Sequence, residues 1–370
     1  MSPHRVPAPE RASAPNLRRV AEAAGVSRAT ASKALNNRPD VAAATRQKVL
    51  AAAQELGYSI PLQPIQRTQP FVALVADNMT TFYTLEILKG AATAALEEGV
   101  VLLTSYIPPA GTYKGPVPLE DAWFQMCRNS GCVGVVVLTL QLSSHHIQTA
   151  QNLNLPLVAI DPANPLPPYI PSIGATNWNG GLEATEHLIN LGHTRIAYVQ
   201  GPLTSVPSRE RLEGYLSALR IHGIVPRPNL VVGSDFSYEA GLAAGRQLFA
   251  LPEHERPTAV FAGSDNSALG VYEAIREAGM RVPEDVSVIG FDDTLMAAMS
   301  TPRLTTIRQP LHDMGAAGIR TVLDVAAGRP LTTSGHIRVS TQLIARDSTA
   351  PAPAGRPETT AAPQPRAPQN

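Results

Sequence analysis

The chain has 370 residues, 44% of them apolar and only 16% charged, so it is too long for one ordinary domain and apolar enough to bury sizeable cores. Its formal charge is zero, yet residues 1–69 carry ten Lys and Arg against four carboxylates, a head of +6 on a body of −6. A basic head points at a polyanion, most often nucleic acid. The two cysteines, Cys127 and Cys132, are too few for a disulfide framework or a structural zinc site. No apolar run approaches the roughly 18 residues of a membrane span, and the N-terminus shows no signal-peptide core. A cytoplasmic protein with no membrane partner, metal or cofactor is expected.

Residues 1–15 and 348–370, rich in Pro and Ala and poor in large apolar side chains, are expected to be disordered tails. Residues 16–58 read as three short helices. Asn16 caps the first, which turns Leu17, Val20, Ala21 and Ala24 inward before Gly25 breaks it. Ser27 caps the second, with Ala31, Ala34 and Leu35 inward. A turn from Asn36 to Asp40 leads to a third helix from about Ala43 to Leu56, carrying Val49, Leu50, Ala53 and Leu56 and ending at Gly57. Residues 59–70, with Pro61, Pro64 and Pro70, form a hinge linker.

From Phe71 to Asp347, short apolar runs alternate with helical patterns. The strand candidates are Phe71–Ala76, Val100–Thr104, Val133–Leu138, Leu157–Ile160, Arg195–Val199, Ala259–Ala262 and Val286–Phe291. Amphipathic stretches between them include Leu85–Glu98, Gly181–Leu191, Arg209–His222, Tyr238–Ala250 and Ser267–Ala278. This βαβα order predicts doubly wound parallel sheets with helices on both faces, and the length argues for two lobes. Such sheets bind ligands beyond the carboxyl ends of their strands.

In the head, helix, Gly-containing turn and second helix make a helix-turn-helix. Gly25 lets the backbone reverse and Val26 plugs the core between the helices. The second helix is then the one that enters the major groove, with Arg28, Ala29 and, one turn on, Lys33 at base edges. Arg28 suits a guanine edge and Ala29 a thymine methyl. Thr30, Ser32, Asn36 and Thr45 suit phosphates, and Ser27 and Leu17 join them as candidate contacts.

The run "NLRRVAEAAGVSRATASKALNNRPDVAAATRQKVLAAAQELGY" resembles the DNA-binding head of the LacI/GalR family of bacterial repressors. The body resembles the same family's periplasmic-binding-protein-like core in "GATNWNGGLEATEHLINLGHTRIAYVQGP", "SRERLEGYLSAL", "RPTAVFAGSDNSALGVYEAIREAGMRVPEDVSVIGFDD" and "STPRLTTIRQP". The resemblance spans about residues 16–347. "ATNWNGG", "EILKG" and "ARDST" are most similar to an actinobacterial subgroup that often senses plant-derived sugars. The family's hinge helix carries a leucine that wedges into the minor groove. Here "YSIPLQPIQRTQPFVALV" is shorter and Pro64 interrupts a helix, leaving Leu62 or Ile65 as the wedge.

The resemblance implies a homodimer on a pseudo-palindromic operator in double-stranded DNA, released by a small effector, a sugar or oligosaccharide. It places effector contacts at Asp161, Arg211, Phe236, Ser264 or Asp265, and Asp292, while residues just after the first strand, Asp77 to Phe82, with Asn78 and Phe82 foremost, line the other lobe. A sugar needs polar groups for its hydroxyls and an apolar face for its C–H surface. Arg211 suits vicinal hydroxyls and Phe236 a sugar ring, while Asp161 and Asp292 each end a strand. Asp265 has a second reading, as a residue holding the start of its own helix. His145 and His146 lack further ligands at metal spacing and read as a solvated helix start. An enzyme of the doubly wound class is disfavoured, because neither a phosphate loop, a dinucleotide fingerprint nor a nucleophile elbow occurs. The remaining alternative is a cytoplasmic sugar sensor without operator-specific repression.

Overall fold

The structure, a computed structural model, describes residues 16–35, 38, 40–58, 69–107, 115–331 and 335–353. The chain divides into two compact units, 1–68 and 69–370.

In the first unit, α1 (Leu17–Ala23), α2 (Arg28–Leu35) and α3 (Ala43–Glu55) enclose a core of Val20, Ala21, Ala31, Ala34, Val41, Val49, Ala52 and Ala53. These side chains are mostly alanine and valine, so short helices approach closely around a small core. Asn16 Oδ1 accepts from Arg19 N at 3.1 Å, and Ser27 Oγ accepts from Thr30 N at 3.0 Å, the two caps expected from the sequence. Gly25 has φ +65°, the left-handed conformation that the helix-turn-helix turn requires. Leu50, expected inside, is 45% exposed, and Ala52 takes the inward position. Val41 enters the core from the turn, where helical periodicity gives no signal. Arg46 Nη2 staples that turn by donating to Arg38 O at 2.6 Å.

The second unit holds two six-stranded sheets among the described residues. The first lobe begins with β1 (Phe71–Ala76), α4 (Phe82–Glu97), β2 (Val101–Tyr106), α5 (Asp121–Asn129) and β3 (Cys132–Leu138). It continues with α6 (Ser144–Asn152), β4 (Leu157–Ile160) and β5 (Ser172–Ala175). The chain then crosses to α7 (Asn177–Asn190), β6 (Ile196–Val199), α8 (Val206–Ile221), β7 (Val231–Val232), α9 (Tyr238–Phe249), β8 (Ala259–Ala262), α10 (Asp265–Glu277), β9 (Ser287–Asp292), α11 (Leu295–Met299) and β10 (Thr305–Arg308). It returns through α12 (Leu311–Ala326) and β11 (His336–Val339), and crosses again to β12 (Gln342–Ile344). The sheet orders are β11-β5-β4-β3-β1-β2 and β12-β10-β9-β8-β6-β7. All pairings are parallel except β10 with β12.

Alternation along β1 shows why both faces need cover. Val72, Leu74 and Ala76 pack with α4 and α12, while Ala73 and Val75 pack with α5. The second sheet is covered likewise by α9 and α10 on one face and α7 and α8 on the other. This is the doubly wound, two-lobed architecture that the sequence predicts. β5, β10, β11 and β12 were not among the sequence candidates, because their three or four residues include Ser, Gly, Thr, Arg and Gln, and β7, Val231–Val232, is too short to read as a strand. β10 is a strand because its buried Thr305 and Thr306 find partners in the fold rather than through apolar patterning.

The body does not end at 347. Ser348 is fully buried, its Oγ donating to Val288 O at 2.6 Å, and Ala352 N donates to Leu191 O at 2.8 Å. His193 Nε2 lies 3.1 Å from Ala350 O. The expectation of disorder from 348 is therefore overturned for residues 348–352, where hydrogen bonds dock a segment that hydrophobicity alone does not mark, and residues 354–370 lie outside the described residues. Cys127 and Cys132 are free and buried.

Candidate functional site

The N-terminal part of α2 presents Ser27, Arg28, Ala29 and Lys33 as exposed residues, with Thr30 and Ser32 half-buried. Ser27 Oγ is engaged with Thr30 N and lies 2.8 Å from Thr30 Oγ1, so its first role is the cap. Lys33 Nζ donates to Asp40 Oδ2 at 2.6 Å, and this hydrogen bond holds the Asp40 carboxyl below its ordinary value. Lys33 therefore reaches a base edge only by sharing or leaving Asp40, a partner the sequence reading did not anticipate. Leu17 is half-buried and packs against the head core, which makes it a structural residue before a contact. Thr45 is half-buried in the first turn of α3. Asn36, Leu62 and Ile65 lie outside the described residues.

In the second unit, the carboxyl ends of the strands bring a polar cluster together between the lobes. Strand-end residues there adopt left-handed backbone: Thr139 (φ 58°), Asp161 (φ 44°), Asp292 (φ 121°) and Asp293 (φ 57°). Strained backbone of this kind clusters at ligand sites. From the first lobe, Asp161 is 4% exposed, and its Oδ2 accepts from Tyr83 Oη at 2.7 Å while Oδ1 has no hydrogen-bond partner. Burial raises the Asp161 carboxyl above its ordinary value, against the opposing effect of the Tyr83 hydrogen bond.

From the second lobe, Arg211 is 3% exposed. Its Nε donates to Asn177 Oδ1 at 2.9 Å and its Nη1 to Gly263 O at 2.6 Å, with Asp292 Oδ1 3.7 Å from Nη1. The guanidinium carbon lies 3.7 Å from the Phe291 ring centroid and 5.3 Å from that of Phe236. A planar cation with two donors engaged and an aromatic ring against it is held in one orientation. Asp292 Oδ1 accepts from Gln309 Nε2 at 2.6 Å, and Gln309 Oε1 is buried without a partner. Burial pushes Asp292 up to about 8, against the pull of Arg211.

Of the residues the sequence offers for an effector site, the fold brings Asp161, Arg211, Phe236 and Asp292 together. In the Asp292–Asp293 pair, Asp293 is structural, held by Arg308 Nε at 2.6 Å and by Arg346. Asp265 is corrected. Its Oδ2 accepts from Thr294 N at 2.7 Å and Thr294 Oγ1 at 3.0 Å, and its Oδ1 accepts from Thr306 Oγ1 at 2.6 Å. Both oxygens are therefore used within the protein, at the start of α10. Asp265→Ala should destabilise the body by about 2–4 kcal/mol, because it strands a buried backbone N–H and two buried hydroxyls. Denaturant unfolding measures this, and a wild-type midpoint would remove Asp265 from the frame of the lobe.

Asn78 is exposed and its side chain closes a turn by accepting from Thr80 N and Oγ1, both at 2.7 Å. Phe82 is 36% exposed at the start of α4, whereas its neighbour Tyr83 is the α4 residue that reaches Asp161. Tyr83, Asn177, Phe291 and Gln309 were missed. Asn177 and Gln309 stand in quoted stretches, "ATNWN" and "TIRQP", but nothing local distinguishes a buried amide that will orient an arginine from one that faces water. His145 lies 2.9 Å from Asp121 and His146 is part of its helix's capping box. Among the described residues no group of three or more His, Cys, Asp or Glu is placed to hold a metal.

Residues 16–60 match the family described as bacterial regulatory proteins, lacI family, and residues 185–349 match the periplasmic binding protein-like domain. The HTH-type transcriptional regulator MalR of Streptomyces coelicolor is 33% identical over 353 residues, covering 91% of this chain and 98% of its own. Among solved structures, a complex of the transcriptional regulator CelR with cellobiose is 31% identical, with a TM-score of 0.67 over 90% of this chain and 99% of that one. The lac repressor dimer bound to operator and the anti-inducer ONPF is 28% identical, with a TM-score of 0.65 over the same shares. Among the described residues no helix is long and apolar enough to cross a membrane.

Proposed function

The chain belongs to the lacI family of bacterial regulatory proteins, and from that membership we propose that it is a transcriptional repressor that binds a pseudo-palindromic operator as a homodimer and is released by a small hydroxylated effector. The head supports the DNA half of this reading. Its second helix offers exposed Arg28 and Ala29 behind a capped turn, and Arg28 has no hydrogen-bond or ion-pair partner among the described residues. Solved relatives carry an operator in one case and cellobiose in another. The protein acts in the cytoplasm, where its DNA is.

The observation that carries the effector half is a pair of buried, unpartnered acceptors, Asp161 Oδ1 and Gln309 Oε1, in one cluster with the clamped Arg211. A buried acceptor without a donor costs about 1–3 kcal/mol. Two such acceptors, one guanidinium and the aromatic face of Phe236 fit a molecule with several hydroxyls and an apolar ring face, which is a sugar or oligosaccharide.

The test has two steps. Selection from a random duplex pool with the full chain should enrich a pseudo-palindrome with half-sites about one or more helical turns apart. A panel of sugars beginning with cellobiose should then weaken that complex. Failure to enrich any site sinks the DNA reading, and an operator complex that no member of the panel alters sinks the sugar reading. On the selected operator, Arg28→Ala should cost about 1–3 kcal/mol and relax preference at one base pair. Fluorescence anisotropy against random DNA measures this, and an unchanged specificity ratio would make Arg28 a phosphate contact.

A further inference from the structure

Three crossovers join the lobes, from β5 to α7, from β10 to α12 and from β11 to β12. The first and third are tied together, with Thr176 N donating to Val339 O at 2.9 Å and Thr341 N donating to Thr176 Oγ1 at 3.0 Å. Beside them an ion pair spans the two lobes. Arg338, on β11 at the edge of the first sheet, donates through Nη2 to Glu210 Oε1 at 3.0 Å and through Nη1 to Oε2 at 3.4 Å. Glu210 stands on α8, whose Tyr215 and Leu219 are buried against the second sheet.

Each end of this pair adjoins the effector cluster. Glu210 Oε2 accepts from Asn177 Nδ2 at 3.2 Å, and Asn177 Oδ1 accepts from Arg211 Nε, so one continuous line runs Arg338–Glu210–Asn177–Arg211. On the first lobe, a Cβ on Gly174 would lie 2.8 Å from Arg338 Nη1 and 3.1 Å from Asp161 Oδ1. The bare glycine is what lets the guanidinium stand next to the unpartnered carboxylate oxygen.

We propose that Arg338 and Glu210 form a cross-lobe latch that holds the lobes in the arrangement in which the pair forms before any effector arrives, with Asn177 linking the latch to Arg211. This rests on reading the cluster as the effector site. The two side chains are 44% and 29% exposed, so the pair is weak, as a reversible bias must be. An equilibrium between two states responds to a ligand only when neither state is overwhelmingly favoured.

Amide hydrogen exchange on the full chain, without effector or DNA, tests the latch apart from the proposed function. Peptides covering 172–177 and 338–343 report on the crossovers. Arg338→Met, which keeps an unbranched stem, and Glu210→Gln should each speed their exchange about two- to fivefold. The double variant should be no faster than either single one, because all three lose the same interaction. High salt should speed exchange in the wild type and leave the variants unmoved. Wild-type exchange in the single variants, or effects that add in the double, would overturn the latch.

Discussion

Arg211→Ala is expected to reduce effector affinity by ten- to a hundredfold, the loss of about 1.5–3 kcal/mol that follows removal of a charged hydrogen-bonding partner. Arg211 is orientated by Asn177 and the Gly263 carbonyl and lies against the Phe291 and Phe236 rings, so no neighbouring side chain replaces it. Calorimetry with the best sugar of the panel measures the loss, and wild-type affinity would take Arg211 out of the site. The same substitution has a pH signature. Asp292 has a folded-state value raised to about 8 by burial, and Arg211 opposes that rise, so the variant raises it further. A carboxyl whose folded value is raised contributes stability at low pH and loses it as pH climbs through that value. At pH 6 the variant should therefore lose only the hydrogen bonds of Arg211, about 1–3 kcal/mol. At pH 9 the wild-type Asp292 is ionised beside its cation, whereas the variant's must ionise alone or stay protonated, which adds up to about 1.4 kcal/mol to the loss. Thermal unfolding at the two pH values measures the gap, and a deficit that does not grow with pH would show that Asp292 does not depend on Arg211.

Gly90→Ala should destabilise the first lobe by at least about 3 kcal/mol, since overpacking against rigid neighbours has no cheap relief. A Cβ on Gly90 would lie 1.8 Å from His312 O and 2.6 Å from His312 C. On the facing helix, a Cβ on Gly315 would lie 2.0 Å from Ile87 O. Glycines on both helices therefore let α4 and α12 touch backbone to backbone, and a rotamer change cannot clear a backbone atom. The melting temperature should fall by roughly 10 °C, while Lys89→Ala, at an exposed neighbouring position, should leave it nearly unchanged. A wild-type transition for Gly90→Ala would mean that the two helices slide apart without loss, and that their contact does not hold the lobe.

The sequence by itself determined the parts of this protein whose physics is local. The head was legible because Asn16, Gly25 and Ser27 act on the residues next to them, through caps and a left-handed turn. The doubly wound body was legible because strands buried on both faces read as unbroken apolar runs such as Val133–Leu138, and amphipathic helices fall between them. The placing of Asp161 and Asp292 at strand ends and of Arg211 on a helix was legible, because each follows or sits in a locally patterned element. What only the tertiary structure decided is which neighbour each polar group meets across the chain. Asp265 turned out to hold Thr294 and Thr306, partners 29 and 41 residues away, so no local pattern separated it from Asp292. Tyr83 meets Asp161 across 78 residues and Arg338 meets Glu210 across 128. Ser348 and Ala352 dock on the body through backbone hydrogen bonds, which composition does not record. Hydrogen bonds between distant residues depend on where the sheets place their ends, and that placement exists only once both lobes have packed.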